Sequence, residues 1–291
     1  MIKKLINPIY VINKIIYLFM FKILPSGFYV DYLIHLYRFI KAHKRLPQKD
    51  YSMNDQHFFL NNTNEVLNPL RVITSDKEYA KDFIKNVVGE KYVIKTLTVL
   101  KTKDEIDNYN YPSGCVAKAS HSCNMTQIIN KPNDVDKSEL KKWLIYNYYD
   151  YSRERNYKNL EKKIIVEELI LDDGSILDYR FFVNNNKLKF IILDFDVLND
   201  RTRLIYDRDW NVLNFTLNYE KSKKVIPKPS KLPEMIELSE RLGKYFGYVR
   251  VDFYTDGKNI KVGEISHTHA AGLQVFKPKK EEEKFMKFYF S

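Results

Sequence analysis

Two carboxylates near the end of the chain lie in runs that read as β-strands. Asp252 stands in YVRVDFY and Glu264 in NIKVGEIS, with Ser266 two residues further on. A carboxylate among apolar strand residues is costly unless a cation meets it. Magnesium takes one or two carboxylates together with substrate phosphates. The pair therefore predicts a magnesium site, and the alternative is a surface hairpin with solvated acids.

The turn between these strands sets a condition on that site. Asp256 and Gly257 between two alternating runs predict a β-hairpin. A plain two-residue loop would place Asp252 and Glu264 on opposite faces, because side chains alternate along a strand. The metal site therefore requires a three-residue loop or a bulge, with Gly257 or Lys258 in a left-handed conformation.

Basic side chains elsewhere could hold phosphates. Lys118 ends a short apolar run and precedes the polar loop SHSCNMT, so its ammonium and the loop N–H groups could both meet phosphate oxygens. Arg180 follows Asp178 at the start of one strand, and Arg201 and Arg203 follow the next. Guanidinium groups bind phosphate or carboxylate through paired hydrogen bonds. Taken singly, each feature also fits a solvated charged surface.

Two further groups of residues flank these positions. Glu167, Glu168 and Leu169 end a predicted buried strand, where strand-edge backbone groups could read an adenine and a carboxylate could bind ribose hydroxyls. His267 and His269 follow Glu264 and could be metal ligands, general bases or substrate contacts. A zinc site needs three or four ligands, so we favour contact with substrate or phosphate for the two histidines.

The elements that must position these residues predict an α+β (mixed α/β) class in which hairpins outnumber crossovers. Residues 1–60 are assigned to an N-terminal helical segment and residues 61–291 to the main domain. Helices are predicted at residues 26–48, 75–88, 232–246 and from Asp136, where Glu139 suggests a capping box. Strands are predicted at residues 91–100, 115–119, 127–130, 162–170, 178–183, 188–195 and in the final hairpin.

Composition limits the function classes. The 291 residues are 44% hydrophobic and 14% aromatic, so the chain can bury a core and is not disordered. The net charge of +11 fits an anionic partner or a compositional background. No compact basic run or zinc-finger pattern indicates nucleic acid. Two cysteines, Cys115 and Cys123, form no disulfide framework and fit the cytoplasm.

Residues 1–46 are apolar but carry interspersed lysines. Lys14 and Lys22 interrupt every window of about 20 residues that could span a membrane, and no signal-peptide cleavage site follows. One interpretation is a basic amphipathic segment lying peripherally on the inner face of the cytoplasmic membrane. The other is a helix packed on the main domain.

In this order, the motifs resemble the teichuronopeptide-biosynthesis-type (TupA-like) branch of the ATP-grasp superfamily. The likeness runs from about residue 65 to 276 and is carried by SDKEYAKDFI, CVAKASHS, DYRFFVNNNKLKFI and the long segment at residues 138–170. VDFY with GEI is its most specific pair. The resemblance implies two α+β subdomains that clasp ATP, preceded by the N-terminal helical segment.

The resemblance also implies roles for particular residues. Magnesium would be held by Asp252 and Glu264, with Ser266 where many relatives have an asparagine. Arginine and histidine residues would contact the reacting phosphate or substrate, namely Arg180, Arg201, Arg203, His267 and His269. ATP would be bound by Lys118, Ser120, His121, Ser122, Glu167, Glu168, Leu169 and Asp178.

The resemblance implies an ATP- and Mg2+-dependent carboxylate–amine ligase. Such an enzyme would activate a uronic acid or similar group of a cell-surface polysaccharide as an acyl phosphate and join it to an amine or amino acid. Two departures stand out: the loop after Lys118 lacks glycine, and HTHAAG replaces a glycine-rich stretch. Alternatives are phosphoryl or glycan transfer on the same fold, or an inactive module in a glycan assembly complex at the membrane surface.

Overall fold

The computed structural model describes residues 19, 24–171, 177–195 and 200–290, and it has the mixed α+β architecture that the sequence predicts. The helices are α1 (Phe28–His43), α2 (Met53–Asn61), α3 (Pro69–Ser75), α4 (Ala80–Val88), α5 (Lys103–Asn108), α6 (Lys137–Trp143), α7 (Tyr148–Ser152), α8 (Leu232–Gly243) and α9 (Glu281–Phe290). The strands are β1 (Thr96–Leu100), β2 (Cys115–Ala119), β3 (Thr126–Ile129), β4 (Ile164–Glu168), β5 (Tyr179–Asn184), β6 (Lys187–Phe195), β7 (Thr202–Tyr206), β8 (Thr216–Leu217), β9 (Glu220–Lys221), β10 (Tyr248–Thr255), β11 (Ile260–Ser266) and β12 (Phe276–Lys277).

The large sheet has six strands in the order β11-β10-β5-β6-β7-β9, antiparallel except for the β7–β9 pair. One face is apolar, with Phe181, Leu193 and Val251 buried among residues of α4 and α8. The opposite face is divided. One half packs on α9 through an aromatic cluster that includes Phe190 and Tyr289, and the other half carries charged side chains.

The small sheet has four antiparallel strands in the order β1-β4-β2-β3. Its inner face packs on α5 and α6, with Ala117, Leu140 and Ile164 fully buried. Because side chains alternate along a strand, Lys118 on β2 projects to the other face. There its ammonium lies 5.5 Å from the ring centroid of Tyr254 on β10, so the two sheets meet across a cleft at this point.

The N-terminal helix packs on the main body along one side. Arg38 donates to the backbone oxygens of Tyr151 and Ser152 at 2.8 and 3.0 Å, and Tyr149 donates to buried Asp31 at 2.6 Å. The helix is shorter than the predicted 26–48, because Lys44 adopts a left-handed conformation with φ of 58°. Within the described residues, no helix is long and apolar enough to cross a membrane. Residues 1–18 and 20–23 of the predicted surface segment lie outside the described part.

Three predicted boundaries are wrong for local reasons. The helix predicted at residues 75–88 begins only at Ala80, because the Asp76 carboxylate accepts a hydrogen bond from the Glu78 N–H at 2.8 Å and a turn at residues 76–79 separates α3 from α4. The strand predicted at 91–100 begins only at Thr96, after a 3-10 turn. Helix α8 ends at Gly243 and not at the predicted residue 246, and Tyr245 beyond its end is exposed.

Other local signals are confirmed. The Asp136 carboxylate caps α6 by accepting from the Glu139 N–H at 2.9 Å. The second half of the predicted capping box does not form, because the Asp136 N–H donates to Oε1 of Gln127 at 2.8 Å. Strands β5 and β6 form the predicted hairpin, whose turn residues Asn185 and Asn186 have φ of 50° and 61°. Asparagine tolerates this left-handed conformation, which two-residue hairpin loops require.

The final hairpin contains the predicted bulge. Thr255 pairs with Ile260 across the turn, and Gly257 is left-handed with φ of 81°. The register shifts by one residue between Asp252 and Phe253, so that Gly263 is the extra residue and Asp252 lies opposite Glu264. The four residues of the turn alone would have placed Asp252 opposite Gly263. The predicted bulge is thus confirmed, but it lies within β11 and not at the turn.

The bulge needs glycine at position 263, because the ring of Tyr254 occupies the space that a side chain would need there. A Cβ atom at this position would lie 2.2 Å from Cε2 of Tyr254. We expect Gly263→Ala to lower the free energy of unfolding by about 1–3 kcal/mol, measured by urea denaturation. The matched control is Gly27→Ala, since nothing lies within 4 Å of a Cβ there. Tyr254→Ala in the Gly263→Ala background should recover part of the loss, and equal stability of both glycine variants would contradict this account.

Candidate active site

The bulge places the two predicted metal carboxylates side by side. On β10, Asp252 lies opposite Glu264 of β11 on one side and opposite Arg180 of β5 on the other. Directly opposed residues project to the same face of a sheet. Asp252 is buried, and Glu264 is partly exposed, with 26% of its side chain accessible. The structure therefore brings together the acidic pair on which the sequence argument rested.

The sequence analysis did not single out Arg250, which holds this pair together. Arg250 donates from Nε to Oδ1 of Asp252 at 2.7 Å and from Nη2 to Oδ2 at 2.6 Å. Its Nη2 also lies 3.4 Å from Oε2 of Glu264. A signal existed, because Arg250 stands two residues before Asp252 on one strand and must share its face.

The two carboxylates differ in their electrostatic environment. The pKa of Asp252 is raised to about 7. Burial is the largest cause, Arg250 opposes it, and the negative charges of Asp178 and Glu264 add to it. Burial also raises the pKa of Glu264, but Lys77, Arg250 and Lys118 outweigh that effect and lower it below its usual value. The face therefore carries a buried carboxylate whose charge its protein neighbours compensate only in part.

This donor set fits a magnesium ion that takes its remaining ligands from phosphates and water. Asp252 and Glu264 lie opposite each other on adjacent strands and supply hard oxygens to the same face. The Ser266 hydroxyl lies beside them and donates to Oε1 of Glu264 at 3.4 Å. Among the described residues, no three His, Cys, Asp or Glu side chains form a complete metal cage.

Lys118 reaches the cleft from the small sheet. Its ammonium lies 2.8 Å from Oε2 of Glu167, whose Oε1 lies 2.6 Å from Lys81. Burial alone would lower the pKa of Lys118, but Glu167 raises it, so the lysine stays charged. The Glu167 carboxylate is buried between the two lysines and supports Lys118, so a contact of this carboxylate with ribose is corrected. The predicted contact of its backbone with adenine stays a prediction.

An apolar cleft lies beside Lys118 at the end of β4. The Leu169 N–H donates to the Gly114 carbonyl at 3.1 Å. The predicted use of this N–H for a base is therefore not supported, although its side chain and that of Glu168 do line the cleft. The cleft is lined by Ile94, Val116, Lys118, Thr126, Ile128, Glu168, Leu169, Ile170 and Tyr254.

The loop after Lys118 is held from within its own subdomain. The Ser120 hydroxyl donates to Asp76 at 3.3 Å, and the His121 ring lies 3.2 Å from the Trp143 carbonyl oxygen and 3.3 Å from the Lys163 N–H. Ser120, His121 and Ser122 are buried, so their side chains have a structural role. The Ser120 N–H donates to the Lys163 carbonyl at 3.0 Å, and the predicted contact of the other loop N–H groups with phosphate stays a prediction. Lys77, which the sequence analysis did not single out, donates to the Ser122 carbonyl.

The predicted arginines form a chain of ion pairs across the large sheet. Arg180 donates to Asp178 at 2.8 Å and to Asp194 at 2.7 Å. Asp194 in turn accepts from Arg203 at 2.6 and 2.9 Å. Arg203 is 1% exposed, so its predicted catalytic contact is corrected to support of Asp194. Arg201 is partly exposed and donates to the Tyr219 hydroxyl at 3.2 Å.

The two predicted substrate-contacting histidines are buried. His267 lies 3.1 Å from Arg71, and Nδ1 of His269 lies 2.8 Å from Nη1 of Arg250. Burial first, and then the neighbouring guanidinium groups, lower both pKa values far below the usual range, so both rings are neutral. Their predicted contact with substrate is corrected: His269 accepts from Arg250 and orients it, and His267 orients Arg71.

Comparison with known families agrees with this geometry. The family model described as TupA-like ATP-grasp matches residues 60–287. The chain belongs to the TupA-like ATP-grasp family. Its fold is accordingly the ATP-grasp fold, with the small and large sheets as the two sides of the cleft. No curated protein sequence matches the chain.

Several solved ATP-grasp ligases resemble the structure. D-alanine–D-alanine ligase from Helicobacter pylori has a TM-score of 0.43 at 14% identity, covering 75% of this chain and 59% of that protein. The corresponding enzyme from Bacillus anthracis with ATP has the same TM-score and identity over 75% and 65%. The ligase PsnB with a minimal precursor has a TM-score of 0.39 at 14% identity over 72% and 54%. The chain thus spans less than two thirds of each of these proteins.

The raised pKa of Asp252 predicts a pH dependence of the ligand-free protein. Between about pH 4 and pH 7 the folded state holds a proton that the unfolded state, with a pKa of 3.8, has released. This group therefore makes stability fall as pH rises through that range. We expect the stability of Asp252→Asn relative to wild type to increase from pH 5 to pH 8, measured by urea denaturation in EDTA. A difference that stays flat or decreases would contradict the assignment.

Proposed function

We propose that this TupA-like protein is an ATP- and Mg2+-dependent ligase that joins a carboxylate to an amine. The observation that carries the proposal is the Asp252–Glu264 pair, set opposite Lys118 across a cleft with an apolar end. Such a cleft suits a nucleotide whose base lies among apolar side chains and whose phosphates meet cations. Phosphoryl transfer depends mainly on this kind of positioning and charge stabilisation.

Each residue of the proposed site has a role that follows from its position in the cleft. Asp252 and Glu264 would hold magnesium, which when bound neutralises phosphate charge. Lys118 and Lys77 would contact phosphate oxygens, with Glu167 and the Ser122 carbonyl fixing their positions. Arg180 and Arg250 are anchored by carboxylates on the same face and would stabilise charge on the transferring phosphoryl group. Arg201 remains partly exposed at the edge of this charged face and is the proposed contact for the acid substrate.

The proposed reaction proceeds in two balanced steps. A carboxylate oxygen of the acid attacks the terminal phosphorus of ATP, forming an acyl phosphate as the bond to ADP breaks. The amine nitrogen then attacks the acyl carbon, an amide bond forms, and inorganic phosphate leaves with the electron pair of the carbon–oxygen bond. The amine loses one proton in this step. Closure of the cleft would keep water from the acyl phosphate.

The proposed substrates are a uronic or similar acid of a cell-surface polysaccharide or its precursor and an amine or amino acid. The sequence resemblance to the teichuronopeptide-biosynthesis-type branch suggests this choice, and the cluster of arginines suits an anionic acid. We place the reaction in the cytoplasm, where the free thiols of Cys115 and Cys123 would remain reduced.

The metal assignment predicts which substitutions abolish turnover. Asp252→Asn and Glu264→Gln should each lower ATP turnover by at least about a hundredfold and remove the rise in melting temperature that Mg-ADP gives the wild type. Glu237→Gln is the matched control, because this carboxylate on α8 is 70% exposed and pairs only with Arg241, at 3.8 Å. Full turnover by Asp252→Asn would refute the metal assignment.

The products distinguish ligase from transferase chemistry. The wild-type protein, given ATP, Mg2+, glucuronic acid and a panel of amino acids, should release ADP and phosphate in equal amounts and yield a product whose mass is the sum of the two substrates less water. A product that carries phosphate would favour phosphoryl transfer. Failure to bind Mg-ATP in calorimetry would favour an inactive module.

A further inference from the structure

Helix α1 has two apolar sides, and the described part of the main body covers only one of them. Ile34 and Phe39 are fully buried against the body. On the other side, Tyr29, Leu33 and Ile40 form a stripe at helical spacing, with Tyr29 81% and Leu33 55% exposed. We call this stripe, together with the exposed Lys44 just beyond the end of the helix, the outer face of α1. A contiguous exposed apolar stripe indicates an interaction surface.

Charge is concentrated in the same part of the chain. Residues 1–46 contain eight basic residues and a single acid, so they carry +7 of the chain's net +11. The basic residues are Lys3, Lys4, Lys14, Lys22, Arg38, Lys41, Lys44 and Arg45. The acid is Asp31, which is 2% exposed and bonded to Tyr149. Arg45 is paired with buried Asp55 at 2.6 Å, and the segment keeps an excess of basic side chains when that pair is counted.

We propose that residues 1–46 bind a membrane that contains anionic lipid, with the outer face of α1 lying on the leaflet. The charge complementarity selects this partner, because each Lys or Arg near an anionic leaflet contributes about 1 kcal/mol. The interleaved apolar and lysine residues before α1 also match an interfacial segment, in which apolar side chains insert and lysines reach back to the headgroups.

The helix is fastened close to the active site. Nε2 of His43 lies 2.8 Å from the Gly272 carbonyl oxygen, and α2 packs on the turn at residues 269–272. That turn carries His269, which bonds to Arg250. Docking through the outer face of α1 would therefore hold the cleft beside the leaflet, although the membrane binding itself does not depend on the proposed reaction.

Vesicle sedimentation of the full chain tests this inference. The wild type should bind phosphatidylcholine vesicles that contain phosphatidylglycerol and not those without it, and salt should weaken the binding. Tyr29→Glu with Leu33→Glu should weaken partitioning on the order of thirtyfold, because each added negative charge costs about a factor of five. Replacing Lys3, Lys4, Lys14 and Lys22 by Gln should weaken it by at least about a hundredfold.

The control variant carries the same two charges elsewhere. Val225→Glu with Tyr245→Glu alters two residues that are 71% and 56% exposed and should keep most of the binding, and all variants should keep the wild-type melting temperature. Equal binding to both vesicle types, or wild-type binding by Tyr29→Glu with Leu33→Glu, would overturn the proposal. Loss of stability or of self-association in that variant, without loss of vesicle binding, would show that residues 1–23 or a second copy cover this face.

Discussion

Charge balance on one half of the large sheet is the constraint on which the rest of the site depends. Asp252 and Asp194 are buried in an antiparallel sheet, where an unpaired carboxylate would cost several kcal/mol. Each is met by an arginine in two-pronged contact, Arg250 in one case and Arg203 in the other. Removing any one partner would leave a buried charge. The neutral His269 then orients Arg250 without adding a further positive charge.

The bulge at Gly263 decides which charges share that face. A regular ladder would turn Glu264 toward the apolar core formed with α8, where no cation lies opposite it. With the extra residue, Glu264 joins Asp252 and Arg180 on one line across three strands. The glycine is needed because the ring of Tyr254 occupies the space of a Cβ. The same ring contacts Lys118 across the cleft, so one aromatic residue couples the register of the hairpin to the position of the phosphate-binding lysine.

The parts of the site that could be predicted were those with local signals. The alternation of YVRVDFY placed Asp252 on a strand, and the alternation of side chains required a three-residue loop or a bulge if Asp252 and Glu264 were to share a face. The supporting roles of Glu167 and Arg203 could not be predicted, because each depends on a partner that is far away in the sequence. Glu167 pairs with Lys81, and Arg203 donates in part to Gln274. The predicted start of the helix at residue 75 was wrong for a similar reason, since Asp76 has a buried partner, Lys163, that is 87 positions away.

Two segments contain other residues where the sequence resemblance leads one to expect glycine, yet their backbones include conformations that glycine favours. In the loop after Lys118, Asn124 adopts a left-handed conformation with φ of 59°, and in the HTHAAG segment Ala270 and Ala271 do so with φ of 48° and 52°. Such a conformation costs an alanine about 1–2 kcal/mol, so the surrounding structure must enforce it. Helix α2 packs closely on this turn: a Cβ at the neighbouring Gly272 would lie 2.6 Å from the Asn54 carbonyl oxygen of α2. Backbone strain of this kind persists where packing over-determines it and clusters at functional sites.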